Sequence, residues 1–259
     1  MDKIICGRHP VKEAIRNNVK ISKIYVSGND DATARISSLA GERGIAVCRA
    51  DRNFVEKLCE GSLSQGVAAV AEPYAYSSVS EILKYCCKIN ESPFLLVLED
   101  VCDPHNLGAV VRTAEAVGVH GIIIPKNRSA SVNQTVYKSS AGAVTYVRIA
   151  RVTNISRTLD YLKKNNVWVY GADASAESLS CYNQDLSGAV AVVLGSEGKG
   201  LSRLVKKNCD ALVHIPMFGR ISSLNVSVSA GILCYEILRQ RGSLGAQVPD
   251  FNLRGIADD

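Results

Sequence analysis

Several common signatures are missing from this chain, and each absence removes a class of function. No apolar run approaches the roughly 20 residues that a membrane-spanning helix needs, and the opening "MDKIICGRHP" lacks the apolar stretch of a secretory signal. The expectation is a soluble, cytoplasmic protein without a membrane partner. The nine cysteines include no C-x-x-C pair and the four histidines lie apart, so no metal site is expected. Scattered cysteines of this kind are expected to be free thiols, acting as small apolar residues in a reducing compartment. Neither the Walker order G-x-x-x-x-G-K-[ST] nor the dinucleotide fingerprint G-x-G-x-x-G occurs. An ordinary nucleotide-cofactor enzyme of doubly wound type is therefore disfavoured. Internal repeats and low-complexity tracts are also missing.

What is present suits a globular α/β protein. The 259 residues are enough for one large domain or two small ones, and 47% hydrophobic with 21% charged residues is ordinary for a folded chain. The net charge of +5 is compatible with a nucleic-acid partner without requiring one.

Residues 1–72 read as a small α/β unit: helix in "GRHPVKEAIRNN", strand in "ISKIYVSG", helix in "ATARISSLAGERG", strand in "IAVCRAD", helix in "NFVEKLCEG" and strand in "GVAAVAEP". Residues 73–92 supply a linker and a leading helix, "VSEILKYCCK". From 93 to 242, short continuous apolar runs ("FLLVLED", "GIIIP", "VTYVRI", "VWVYGAD", "AVAVVLG", "ALVHIP") alternate with helical stretches at 106–117, 131–141, 154–165 and 201–207 and a final helix reaching Arg241. That pattern predicts a parallel sheet with helices on both faces. Residues 243–259 have no sustained periodicity and are expected to form a disordered tail.

Ligands of open α/β sheets bind beyond the carboxyl ends of the strands, and three loops there are unusually polar. In "EDVCDPHNLGAVVRTAEAVG", Asn106 is expected to cap the following helix. Arg112 stands one turn from Gly108 and Ala116, a small-residue stripe that leaves room for something flat and anionic. An Arg112–Glu115 helix pair, worth about 0.2–0.5 kcal/mol, explains the same arginine equally well. The loop "VVLGSEGKGLS" has three glycines, permitting close approach of backbone to a ligand. Glu197 in its middle disfavours a phosphate and suits a cofactor carrying positive charge; a tight turn with Ser202 as helix cap is the plainer alternative. In "IPMFGRISSLNVSVSAG", one N-cap needs one side chain, yet Ser222, Ser223 and Asn225 are all supplied. The surplus points to a ligand.

Together, "DPHNLGAVVRTAEAVG", "VVLGSEGKGLS" and "IPMFGRISSLNVSVSAGILCYEILRQR" resemble, in order and spacing, the three motifs of the SpoU (TrmH-like) RNA 2′-O-ribose methyltransferases, over residues 93–242. The front block, with "GRHPVKEAI", resembles the L30e-like RNA-binding domain of members that methylate a guanosine of 23S ribosomal RNA. Thr145 departs from the pattern, since relatives usually carry an acid there. The resemblance implies S-adenosylmethionine as cofactor, a homodimer, and a C-terminal deep trefoil knot, an element against which the rarity of knots argues. It implies that Asn106, Arg112, Glu197, Ser223 and Asn225 face the target nucleotide. Leu194, Gly195, Gly198, Ile215, Met217 and Leu224 would hold the cofactor through the backbone around them. Family proposals make the arginine the base; gripping a phosphate as a fixed cation is an equally physical role. In the front block, Arg8, Lys12 and Arg16 recur four apart on one helix face with His9 beside them, a stripe suited to phosphate contacts or to plain solvation. Methylation of a transfer RNA ribose, and a non-catalytic RNA-binding ribosome-assembly protein on the same scaffold, are the alternatives. The second should lack Arg112, Asn106 or the "SLN" triplet, all of which are present.

Overall fold

Two sheets organise the chain in a computed structural model that describes residues 3–17, 19–28, 30–60, 63–175, 177–196, 198–220 and 223–242. The expected tail, Glu197 and Ser222 lie outside the described residues. The first sheet is built from β1 (Lys3–Cys6), β2 (Ile21–Val26), β3 (Ala46–Arg49) and β4 (Val67–Ala71), with α1 (Arg8–Arg16), α2 (Asp31–Glu42) and α3 (Arg52–Leu58) between them. Its order is β1-β4-β2-β3, and only the β2–β3 pair is parallel. The sequence pattern had no strand before α1. β1 has four residues, too few for a period, and owes its conformation to antiparallel pairing with β4 (Ile5 opposite Ala69). Cys6 on β1 and Cys59 at the end of α3 are joined as a disulfide, contrary to the expectation of free thiols throughout. Fifty-three residues separate them in sequence, and only the packing of α3 on this sheet brings their Cα atoms to 5.9 Å.

The second sheet has seven strands in the order β7-β6-β5-β10-β8-β11-β9, every pair parallel. The strands are β5 (Phe94–Leu98), β6 (Gly121–Pro125), β7 (Ile149–Val152), β8 (Trp168–Ala172), β9 (Leu179–Ser180), β10 (Val190–Leu194) and β11 (Ala211–His214). The helices are α4 (Val79–Ile89), α5 (Pro104–Ala116), α6 (Gln134–Ser139), α7 (Ile155–Lys164), α8 (Arg203–Asn208) and α9 (Val226–Gln240). Central strands β5 and β10 are buried at every residue. Their side chains alternate between two apolar clusters, Leu96 and Val192 in one, Leu95 and Val193 in the other. The first cluster takes in residues of α5 and α9, and the second residues of α4, α7 and α8, which gives the predicted helices on both faces. The expected apolar stripe of α9 (Val226, Ala230, Leu233, Ile237) is buried as a unit. Arg241 closes that helix by donating to the carbonyls of Pro93 (2.9 Å) and Gly188 (2.6 Å).

The two sheets share a core. Ile5, Val11 and Ile15 of the front belong to the same apolar cluster as Val136, Val144 and Val147. Across the joint, Asn17 Nδ2 donates to Thr145 Oγ1 (2.7 Å), Gln134 Nε2 donates to the Cys59 carbonyl (3.1 Å), and the Tyr146 hydroxyl donates to Glu13. Thr145 thus serves packing between sheets. This joint also reshapes the stretch expected to be one strand, "VTYVRI": residues Ala143–Thr145 coil into a 3₁₀ turn, and the strand begins only at Ile149.

Candidate functional site

Because every pair in the seven-stranded sheet is parallel, all its carboxyl ends share one rim. The three polar loops meet there, and backbone groups hold them together. Glu99 N–H, just after β5, donates to the Leu194 carbonyl (2.9 Å), and the Glu99 carboxylate accepts from Ser202 N–H (2.9 Å). The first and second loops are thereby fixed to one another. Ser202 caps α8 as anticipated, accepting from Val205 N–H.

The cap of α5 differs from expectation. Asp103, followed by Pro104 at the first helical position, accepts from His105 N–H (2.9 Å), so the cap lies three residues before Asn106. Asn106 is left within the first turn, where its Oδ1 accepts from Asn225 Nδ2 (3.1 Å) across 119 residues of sequence. Asn225 caps α9, with Oδ1 accepting from Ser227 N–H (2.9 Å). One asparagine therefore both starts a helix and ties the third loop to the first.

Arg112 is exposed on α5, and among the described residues neither Glu115 nor any other acid pairs with it. The plain helix-pair explanation is not realised. The space beside Gly108 is not open to a ligand, however. A Cβ there would lie 1.8 Å from Ser139 Oγ, so the glycine serves close packing of α5 on α6.

Next to this polar group lies a cavity of about 490 Å³ lined by Leu194, Gly195, Gly198, Ile215, Met217 and Leu224, with Ser223 at its edge. All six residues expected around the cofactor are brought together. The glycines differ in purpose. A Cβ on Gly195 would sit 2.2 Å from the Gly200 carbonyl, so the turn itself demands glycine, whereas a Cβ on Gly198 would meet nothing within 4 Å.

Sequence reasoning missed the far wall of this cavity. Asp173, beyond β8, pairs with Lys206 (2.6 Å) and accepts from Ser175 N–H (3.0 Å). Burial pushes the Asp173 carboxyl up, but Lys206 and Ser175 outweigh it and hold it below its ordinary value. His214 and Ser178 also hydrogen-bond here (2.9 Å). The end of "VWVYGAD" obeys the same carboxyl-edge rule as the three polar loops, and that was the available signal.

The front stripe is only partly uncommitted. Arg8 pairs with Asp30, the α2 cap, and donates to the Gln65 carbonyl (3.0 Å), while Arg16 pairs with Glu13 (3.1 Å). Two of the stripe's three cations thus have carboxylate partners close at hand. His9 and Lys12 are exposed, and among the described residues neither forms an ion pair.

A family model described as the SpoU rRNA Methylase family matches residues 93–235, and another, described as RNA 2′-O ribose methyltransferase substrate binding, matches residues 4–77. The chain belongs to the SpoU rRNA methylase family. It is 41% identical over 243 residues to YacO of Bacillus subtilis, assigned to the TrmH family of tRNA/rRNA methyltransferases (93% of this chain, 97% of that one). It is likewise 41% identical over 247 residues to the 23S rRNA (guanosine-2′-O-)-methyltransferase RlmB of Photorhabdus laumondii (94% and 100%). Among solved structures, the SpoU methyltransferase AviRb of Streptomyces viridochromogenes in complex with AdoMet shares the fold (TM-score 0.79, 23% identity, 93% and 91% covered). An RNA 2′-O ribose methyltransferase matches with TM-score 0.73 and 26% identity over 92% of this chain and 88% of that one. This SpoU member is thus an RNA methyltransferase, and the cofactor to test against its cavity is the AdoMet held by AviRb, which shares its fold. The cavity fits that cofactor. Its volume is that of a small-molecule site, and the space above Gly198 is open.

Proposed function

We propose that the protein methylates the ribose 2′-oxygen of a guanosine in 23S ribosomal RNA. The observation that carries this reading is the bond from Asn225 to Asn106, which ties the third loop to α5, a helix whose exposed Arg112 pairs with no acid among the described residues, while the second and third loops line a cofactor-sized cavity. Residues around Leu194, Gly195, Gly198, Ile215, Met217 and Leu224 hold S-adenosylmethionine. Bound there, the cofactor supplies a methyl group already activated by the sulfonium charge. The chain's own task is then positioning. Arg112 grips the RNA as a fixed, planar cation and stabilises negative charge near the 2′-oxygen. Asn106, Ser223 and Asn225 orient the ribose, together with Glu197, which lies outside the described residues.

The same reading gives residues 1–72 the role of an L30e-like substrate reader and residues 93–242 that of the methyltransferase domain, with 73–92 joining them. It also gives the chain through α9 a deep trefoil knot, and places the protein in the cytoplasm. A homodimer is supported by the outer face of α9, where Val228 (48%) and Tyr235 (51%), seven residues apart, stay exposed. Light scattering should give about twice the 27.8 kDa chain mass.

The deciding experiment maps ribose methylation in RNA from cells lacking the protein. One guanosine of 23S ribosomal RNA should lose its 2′-O-methyl group and regain it on complementation. A lost mark in transfer RNA instead would replace the substrate assignment.

A further inference from the structure

A second cleft, of about 500 Å³, lies on the same rim at the β6–β7 end, lined by Tyr76, Ser77, Ser78, Glu81, Lys126 and Arg151. None of these residues belongs to the three motif loops. We propose that this cleft holds a phosphate of the RNA backbone, a second grip on the substrate beside the one at Arg112. The proposal rests on the RNA reading above.

The cleft is built around a preorganised arginine. Arg151 Nη2 donates to the Lys126 carbonyl (2.7 Å), and the guanidinium lies 5.0 Å from the centre of the Tyr76 ring. Tyr76 is itself fixed, its hydroxyl accepting from Val132 N–H (2.9 Å). Ser77 continues the sheet edge by donating its N–H to the Ile149 carbonyl (2.9 Å). With its orientation set, Arg151 still has donors to spare: Nε is buried without a partner, and Nη1 has none among the described residues. A buried donor left unmet in a native fold calls for an explanation, and an anion held by the same guanidinium is one. Lys126 adds an exposed ammonium that forms no ion pair among the described residues.

One acid lines the cleft, and it is spoken for. Glu81 accepts from Ser78 N–H (2.6 Å) and Ser78 Oγ (2.9 Å) in the capping box of α4. The cleft therefore carries two cations against one carboxylate, a net positive charge, and Ser78 holds that carboxylate's Oε2 in the capping box.

Position selects RNA as the source of the phosphate. The loop after β6 is joined to the loop that leads into α5, since Ala130 N–H donates to the Val101 carbonyl (2.8 Å) and Cys102 Sγ donates to the Arg128 carbonyl (3.4 Å). The cleft is thus contiguous with the ground before Arg112, and residues 72–78 lead from it to the front sheet. On this proposal a strand running from the target ribose toward the front sheet passes over it.

The test measures binding of a 23S ribosomal RNA transcript by wild type, Lys126→Ala and Arg151→Gln, from about 50 to about 200 mM salt. Each variant should flatten the slope of log affinity against log salt by roughly 0.7–0.9, with S-adenosylmethionine affinity unchanged. Lys126→Arg and Arg151→Lys should restore the slope, which separates lost charge from a damaged fold. Wild-type slopes in both charge-removing variants overturn the cleft while leaving the methyltransferase reading intact. Saturable binding of inorganic phosphate with no change in RNA slope overturns the assignment to RNA. Failure of the wild type to retain any RNA overturns the cleft and the RNA reading together.

Discussion

Two groups of arginines, one on the front helix and one on the rim of the seven-stranded sheet, are handled in opposite ways. On the front sheet, Arg8 and Arg16, two members of the stripe, are neutralised by acids close at hand, Asp30 and Glu13. On the rim of the seven-stranded sheet, Arg112 and Lys126 form no ion pair among the described residues, and Arg151 is fixed by a carbonyl and a ring that leave its charge intact. A cation's place on a helix face therefore says less about RNA binding than whether a carboxylate is near enough to occupy it. A paired surface arginine contributes little beyond local order, whereas an unpaired one keeps its charge for a phosphate.

The largest effect that could break this contrast belongs to Arg112. Arg112→Ala should slow methyl transfer by about 10²–10³-fold, the scale for removing one charge-stabilising donor. Calorimetry should find S-adenosylmethionine affinity within about twofold of wild type. Lost cofactor binding would move Arg112 from the RNA side to the cavity.

The glycine loop offers a comparison within the site. Gly195→Ala forces a Cβ against the Gly200 carbonyl and should cost about 1–3 kcal/mol in thermal unfolding. Gly198→Ala should leave stability nearly unchanged, since a Cβ there meets nothing within 4 Å, yet on the proposed function it should weaken S-adenosylmethionine by intruding on the cavity that Gly198 lines. Equal melting losses in both would remove that distinction.

Asp173→Asn should lower stability by about 1–3 kcal/mol at neutral pH. A carboxyl held below its ordinary value stabilises the fold above that value, and the contribution is lost as pH falls through the depressed one. Wild type and variant should therefore converge only in acid, below the ordinary carboxylate range. A gap that persists there would assign the loss to packing instead of charge.

The smallest effects lie on the front stripe. Lys12→Ala should flatten the salt dependence of RNA binding by roughly 0.7–0.9. Arg8→Ala should leave that slope alone and cost at most about 1 kcal/mol of stability. Equal slopes for the two variants would cancel the contrast between paired and unpaired cations.

Where burial alone dictated conformation, the sequence was legible. Phe94–Leu98 and Val190–Leu194 are continuous apolar runs because both faces of the parallel sheet are covered, and they form its centre. The residues that line the cavity were reached through the resemblance of the three loops to family motifs, and only the third loop, with more side chains than its cap needs, pointed to a ligand by itself. What stayed hidden depends on distant partners. β1 needs β4, the 3₁₀ turn at Thr145 needs Asn17, and the Cys6–Cys59 bond needs α3 packed on the first sheet. Asp173 and Arg151 look like ordinary polar residues until Lys206 and Tyr76 are seen against them.

The central claim is methyl transfer to a ribose oxygen at the rim, and isotope transfer tests it most directly. Purified protein is incubated with methyl-labelled S-adenosylmethionine and unmodified 23S ribosomal RNA, and the RNA is digested to nucleosides. The account predicts label in 2′-O-methylguanosine alone, appearing about 10²–10³-fold more slowly with Arg112→Ala. Label on a base, or no label in any RNA nucleoside, would contradict it.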